Sequence, residues 1–207
     1  MGLPVLILGE SGSGKTYSIK NLDPEKTGIF LVEKPRLPFR KAFPKLVKDA
    51  TYPKIIATLK AHNLKRYVID DSQYLLVNEF FDRARETGYQ KFTDLALNFR
   101  NLIHLVIKQM PEDCIVYFLH HVETDAAGKL KAKTVGRMLD EKLTVEGCFD
   151  IVLRTCIENG EHYFLTQSDG TDTVKSPEEM FEPKIPNDLA FVDQKIREYY
   201  EMEVKPA

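Results

Sequence analysis

Val5-Leu6-Ile7-Leu8-Gly9-Glu10-Ser11-Gly12-Ser13-Gly14-Lys15-Thr16 is the stretch on which the reading of this chain turns. Its four consecutive apolar residues suit a buried strand, and residues 9 to 16 fit G-x-x-x-x-G-K-[ST] at every constrained position. Lys15 to Leu22 is expected to leave the loop as a helix. Gly12 and Gly14 let the backbone turn so that successive N–H groups converge on an anion, to which a helix N-terminus adds partial positive charge. In that arrangement Lys15 neutralises the β- and γ-phosphates, and the Thr16 hydroxyl holds Mg²⁺. The expected ligand is a nucleoside triphosphate seated on Gly9, Glu10, Ser11, Gly12, Ser13, Gly14, Lys15 and Thr16, with Tyr17 at its border. The alternative, a chance Gly/Ser turn before a helix, fits poorly with strand, loop and helix coinciding within so few residues.

Outward from the loop, short unbroken apolar runs alternate with helical patterns. Ile29 to Val32 ends at Glu33, Tyr67 to Ile69 delivers Asp70-Asp71, and Cys114 to Leu119 ends at His120-His121. Phe149 to Leu153 follows, and Asn159-Gly160 signals a hairpin into His162 to Leu165. Asp23-Pro24 should stop the first helix. Three- and four-residue apolar spacing predicts helices over 73–86 and 93–110, and further helices are expected over 52–62 and 187–204. The pattern predicts an α/β fold, a mostly parallel central sheet with helices on both faces, finished by a C-terminal hairpin and helix. Residues 1–175 form its expected core, and 176–207 an acidic helical extension packed on it. Ligands of such sheets bind beyond the C-terminal strand ends. Gly9 to Thr16, Glu33, Asp70-Asp71 and His120-His121 all fall there.

The chain has 207 residues, 43% of them hydrophobic and 29% charged, a balance expected of a soluble globular protein. No apolar run approaches ~18 residues, so no membrane span is expected. The first strand opens almost at Met1, from which no signal peptide is expected. Cys114, Cys148 and Cys156 form no C-x-x-C pair and are expected to be buried, reduced thiols of a cytoplasmic protein. The net charge of −2 conceals segregation. Residues 34–66 carry ten cations against one acid, Asp49, while residues 143–207 carry fourteen acids against six bases. A polyanion-facing surface and a merely solvated basic face are equally consistent with this.

Asp70 follows an apolar strand, as a carboxylate that holds Mg²⁺ through water should. It could instead cap the next helix, and Asp71 could take either role. Glu33 is the candidate to orient an attacking water, with Asp71 and Glu10 as rivals and a solvated strand-end charge as the alternative. By strand alternation one of His120 and His121 should face the nucleotide, and His121 is taken as the γ-phosphate-sensing group. His62, His104 and His162 are read as structural, and no cluster has the ligand spacing of zinc.

Taken together, these motifs resemble the RecA-like P-loop ATPases. The nearest likeness is to the small phage-encoded ATP-binding proteins grouped with single-strand annealing and recombination proteins, the Sak type. The resemblance spans about residues 3 to 190. It rests on Gly9 to Thr16, Val68-Ile69-Asp70-Asp71-Ser72, Tyr117 to His121 and Phe149 to Leu153. Gly88 to Phe92 and Val174-Lys175-Ser176-Pro177 add to it. It implies a Mg²⁺-dependent ATPase that acts on single-stranded DNA in recombination within a bacterial host cytoplasm. A homo-oligomer with ATP at subunit interfaces, and a single-strand binding protein as a further partner, are implied with it. Mobile loops that approach DNA would be 86–92, offering Tyr89, Lys91 and Phe92, and 122–139, offering Lys129, Lys131, Lys133 and Arg137. For Phe92 a role in packing two helices is the stronger reading. Lys175 is the candidate cation reaching a neighbour's γ-phosphate, with an ordinary surface lysine as the alternative. Two departures from RecA are expected: no oligomerisation segment ahead of the core, and Lys34-Pro35-Arg36 following Glu33. Two other functions compete: a nucleotide kinase with 129–142 as its lid, and an ATP-switched adaptor with negligible turnover.

Overall fold

The computed structural model describes residues 1–33, 36–61, 63–136 and 138–202. Arg137, Lys34, Pro35, His62 and Val204, which entered the reading above, lie outside the described residues. Strands β1 (Leu3–Gly9), β2 (Gly28–Leu31), β3 (Leu46–Val47), β4 (Arg66–Asp70), β5 (Ile115–Thr124), β6 (Leu130–Ala132), β7 (Ile151–Glu158), β8 (Glu161–Leu165) and β9 (Lys184–Pro186) join in one sheet. Their order is β3-β2-β4-β5-β1-β7-β8-β9, with β6 paired to the outer end of β5. The run from β3 to β7 is parallel throughout, while β6, β8 and β9 attach by antiparallel pairing. The chain is thus an α/β protein with a mostly parallel mixed sheet.

Both faces of the sheet are covered, which is why its central strands are apolar at every position rather than at alternate ones. Leu6, Leu8, Ile69 and Phe118 face α1 (Tyr52–Lys60), α2 (Tyr74–Asp82) and α3 (Gln90–Gln109). The intervening Val5, Ile7, Val68, Tyr117 and Leu119 face Ile19, Leu22 and α4 (Leu189–Tyr199). In α3 the buried residues Leu95, Ala96, Phe99, Leu102, Ile103 and Val106 recur at helical spacing, so one stripe meets the sheet. Residues after 175 add β9 to the sheet and seat α4 on it, with the Asp188 side chain accepting from Ala190 N at 2.8 Å as its cap.

The opposite edge of the sheet from the 9–16 loop is fastened by charge. Asp193 of α4 is buried and accepts from Arg66, Arg197 and the Tyr117 hydroxyl. Burial opposes its charge, but the two guanidinium groups outweigh that and hold its carboxyl below the usual range.

Several expectations need correction. The segment after the loop is a six-residue 3₁₀ helix, Thr16–Asn21, rather than a full α-helix. The Ser18 hydroxyl donates to Lys15 O at 2.5 Å, and Leu22 is already extended ahead of Asp23-Pro24, so the helix cannot lengthen. The strand ending in His120-His121 continues to Thr124, because Val122 to Thr124 pair with β6. Lys91 and Phe92 belong to the first turn of α3 rather than to a loop. Among the cysteines only Cys114 is buried, and burial pushes its thiol up to about 12. Among the described residues no helix is long and apolar enough to cross a membrane.

Five of the ten cations of the basic segment bind groups within the molecule. Lys41 Nζ donates to Lys20 O and Leu22 O at 2.9 and 2.8 Å, and Lys45 Nζ donates to Glu25 O at 2.5 Å. Lys54 binds Asp49 O, Lys65 pairs with Asp113, and Arg66 pairs with Asp193. These cations strap the 3₁₀ segment and the strand edges, which makes the excess of charge in 34–66 a weaker sign of a polyanion partner than its count suggests.

Candidate functional site

The parallel strands bring their C-terminal ends to one edge, in an order fixed by the sheet. From β2 toward β8 that edge carries Glu33, Asp70-Asp71, His121, the loop 9–16, Thr155 and His162. The register sets Gly9 opposite His121, and Leu31 opposite Asp70. The loop therefore lies between a flank of carboxylates and a flank contributed by the antiparallel strands.

Within the loop Lys15 is buried, and its Nζ donates to Gly9 O at 2.9 Å and Glu10 O at 2.8 Å. Ser13 N and Ser13 Oγ also donate to Glu10 O, closing the turn. The Thr16 hydroxyl donates to Asp70 Oδ1 at 2.9 Å, joining groups 54 positions apart. A hydroxyl beside a carboxylate is an oxygen donor set, and with nucleotide phosphates it fits Mg²⁺, which keeps several waters and takes few protein ligands. No group of three or more His, Cys, Asp or Glu suited to a metal occurs among the described residues. Helix-dipole assistance to an anion is small here, because the segment after the loop is a single short 3₁₀ stretch. The N–H groups of the loop and Lys15 must do that work.

Asp71 is buried with a positive φ of 58°, and its Oδ1 lies 3.1 Å from His121 Nε2. The His121 ring also meets Tyr74 edge to face at 5.7 Å. His120 points the other way, into the core against Phe99. Its Nε2 donates to Lys133 O at 2.8 Å, and Nδ1 lies 2.9 Å from the Ser72 hydroxyl. Burial pushes the His120 imidazole down to about 4. It is a neutral core residue, and of the two histidines His121 stands beside the carboxylates.

The remaining candidates are more loosely placed. Glu33 is exposed, its carboxylate 3.4 Å from Asn78 Nδ2, and Glu10 is exposed at the loop tip. Ser11 and Gly12 are exposed too. Tyr17 is 46% exposed, packs edge-on against Phe39 and lies beneath Lys20 Nζ. Lys175 is exposed and pairs by its backbone with Val152 near the start of β7. Val152 is opposite Leu6 of β1, so within one chain Lys175 stands well before the loop.

Tyr89 is 89% exposed just ahead of α3, while Lys91 folds over the rings of Phe80 and Phe92. Phe92 packs against Phe80 and beneath Gly136, the packing role rather than an open base platform. Lys129, Lys131 and Lys133 alternate with Leu130 and Ala132, so all three share one face of the β5–β6 ribbon. Lys131 faces Glu123 at 3.6 Å. Ala132 and Leu139 are seated in the core.

Sequence reasoning missed the flank toward β8. His162, read as structural, has Nδ1 2.9 Å from Ser13 O; Asn187 Nδ2 donates to Gly14 O at 3.0 Å; and Thr155 Oγ1 lies 2.6 Å from Ser13 Oγ. The available signal was the hairpin at Asn159-Gly160. A strand returning from that turn begins at the same edge as the loop, so its first residues must lie near it.

A scan against protein-family models finds none that matches this chain, and a search of curated proteins finds none with significant similarity.

Proposed function

We propose that this chain is an ATP-binding protein with slow, Mg²⁺-dependent hydrolysis, of the RecA-like type, working on single-stranded DNA in recombination or strand annealing. The observation that carries the reading is the 2.9 Å contact between Thr16 and Asp70 beside the Lys15 loop. Chain segments far apart in sequence thereby assemble the hydroxyl, carboxylate and ammonium that a Mg²⁺-bound triphosphate requires. Bound Mg²⁺ would neutralise phosphate charge. Lys15 would turn from the loop carbonyls to the phosphates, Thr16 and Asp70 would hold the ion and its waters, and His121, paired with Asp71, would stand at the end of the strand between β4 and β1. The β5–β6 ribbon hangs from the same strand end, since Lys133 N donates to His121 O at 2.9 Å. Its three lysines are therefore candidates for a nucleotide-dependent grip on phosphates of a single strand.

The kinase reading is less favoured, because Ala132 and Leu139 anchor the segment that would have to open and close as a lid. The adaptor reading is favoured by one observation: Glu33 is exposed, with a single long contact to Asn78. Phosphate release from ATP, measured with and without single-stranded DNA, tests the proposal. DNA-stimulated release supports it, tight binding without release supports the adaptor, and transfer to a nucleoside monophosphate supports the kinase. For the oligomer, the proposal places Lys175 at a neighbour's site. Turnover per subunit should then rise with protein concentration, and mixing Lys175→Ala with Lys15→Ala protein should restore activity absent from either alone. A mixture that associates yet shows no rescue removes Lys175 from that role.

A further inference from the structure

We infer that His162 and Asn187 are positioning residues that aim the phosphate-binding N–H groups of the loop, acting from behind it. The inference rests on the nucleotide-binding reading and adds to it two residues that do not touch the ligand.

Every peptide bond among the described residues is trans, and in a trans peptide the C=O and the following N–H point in opposite directions. Fixing a carbonyl outward therefore fixes the next N–H inward. Ser13 O accepts from His162 Nδ1 at 2.9 Å, and the same peptide plane carries the N–H of Gly14. Gly14 O accepts from Asn187 Nδ2 at 3.0 Å, together with the Ser18 N–H of the following turn at 3.0 Å, and that plane carries the N–H of Lys15. Because a carbonyl can only accept, His162 must be protonated on Nδ1. Two consecutive planes at the heart of the G-K-T segment are thus pinned from outside, leaving their N–H groups directed toward the phosphate side.

The packing agrees. Gly14 has φ +100°, and a β-carbon there would lie 2.5 Å from Asn187 Nδ2 and 2.8 Å from His162 Nδ1. The two donors close over the glycine, so a side chain there would be strained by the positive φ and would push both donors off their carbonyls. Thr155 continues the same wall: a β-carbon on Gly9 would collide with its hydroxyl. The donors come from β8 and from the turn between β9 and α4, 149 and 173 positions from their acceptors. The C-terminal third of the chain is therefore the back wall of the phosphate seat.

The test is calorimetric titration of the full chain with Mg²⁺-ATP and, separately, with inorganic tripolyphosphate, which carries the phosphates but no base. His162→Leu and Asn187→Leu should each weaken both ligands about five- to tenfold, the worth of one hydrogen bond in a preorganised site. His162→Asn places an amide donor where Nδ1 stood and should restore most of the loss, which a purely space-filling role would not predict. Asn187→Asp keeps the shape and loses the donor, so it carries the test if a leucine variant fails to fold. Wild-type protein that binds neither ligand removes the nucleotide reading itself, and this inference with it. Wild-type binding with all donor-deleting variants within about twofold of it overturns the inference alone. So does a His162→Asn protein as weak as His162→Leu.

Discussion

On the side of the loop toward β7 and β8, Thr155, His162 and Asn187 reach in from distant parts of the chain and contact the loop at 2.6 to 3.0 Å. On the side toward β4 and β2 the contacts fade with distance from the loop. Thr16 meets Asp70 at 2.9 Å, Asp71 meets His121 at 3.1 Å, and the outermost carboxylate, Glu33, is exposed with a 3.4 Å contact to Asn78. One flank is preorganised by protein groups alone, while on the other the group offered for aligning water is the least fixed. Preorganisation lowers the cost of binding, whereas hydrolysis needs a water held at one place in the transition state. A protein built this way should bind nucleotide well and turn it over slowly until something orders the Glu33 side.

The sharpest way to break that contrast is Lys15→Ala, which removes the one cation inside the loop. Mg²⁺-ATP affinity should fall by roughly two orders of magnitude or more, since charge-assisted bonds to two phosphates are lost. Calorimetric affinity near that of the wild type would dismantle the whole reading of the edge. Asp70→Asn separates the flanks. It should leave affinity within about threefold while phosphate release drops at least about tenfold, because the ion loses its carboxylate. Unchanged release moves the metal role to Asp71.

A smaller effect is expected for the ribbon. Replacing Lys129, Lys131 and Lys133 together should reduce the salt slope of single-strand binding by about two to three. The lower figure applies if Lys131 remains engaged with Glu123 rather than with a phosphate. Fluorescence titrations over a range of salt with an unaltered slope would exclude this surface. The smallest effect concerns His120. Its folded-state value of about 4 lies below that of a free imidazole, so the unfolded chain binds the proton first as pH falls. The fold should lose about 1–2 kcal/mol between pH 7 and 5 from this residue alone. Denaturant melts of His120→Gln should show a correspondingly flatter pH dependence, and identical slopes for the two proteins would contradict it.

The parts of this architecture that could be read in advance are those whose cause is local. Val5 to Leu8 and Tyr117 to Leu119 are apolar at every position because they are covered on both faces, and a sequence displays that directly. Asp70 announces itself as the first charge after such a run. The stop at Asp23-Pro24 was legible, but the 3₁₀ character of the helix before it was not, because the Ser18 hydroxyl competes there for Lys15 O. The straps of Lys41 and Lys45 were hidden for a different reason: their acceptors are main-chain carbonyls, which leave no mark on residue type. Asn187 was invisible on both counts, and His162 was marked only by the hairpin turn that starts its strand at the loop's edge. Each binds a carbonyl, and each is brought to it only by the closure of a sheet whose order differs from chain order.

The pairing of Arg66 with Asp193, 127 residues apart, has a consequence for synthesis. During synthesis the loop 9–16 is made well before the segments that contact it from behind. The face of the sheet that carries Ile7 and Tyr117 stays uncovered until Leu189, Val192 and Ile196 have been made. Throughout that interval Arg66 lacks its carboxylate partner and the loop lacks Asn187. The loop, translated before the segments that hold it, therefore takes its working shape only after them, and a polypeptide halted before residue 187 would expose apolar surface for chaperones or proteases to engage.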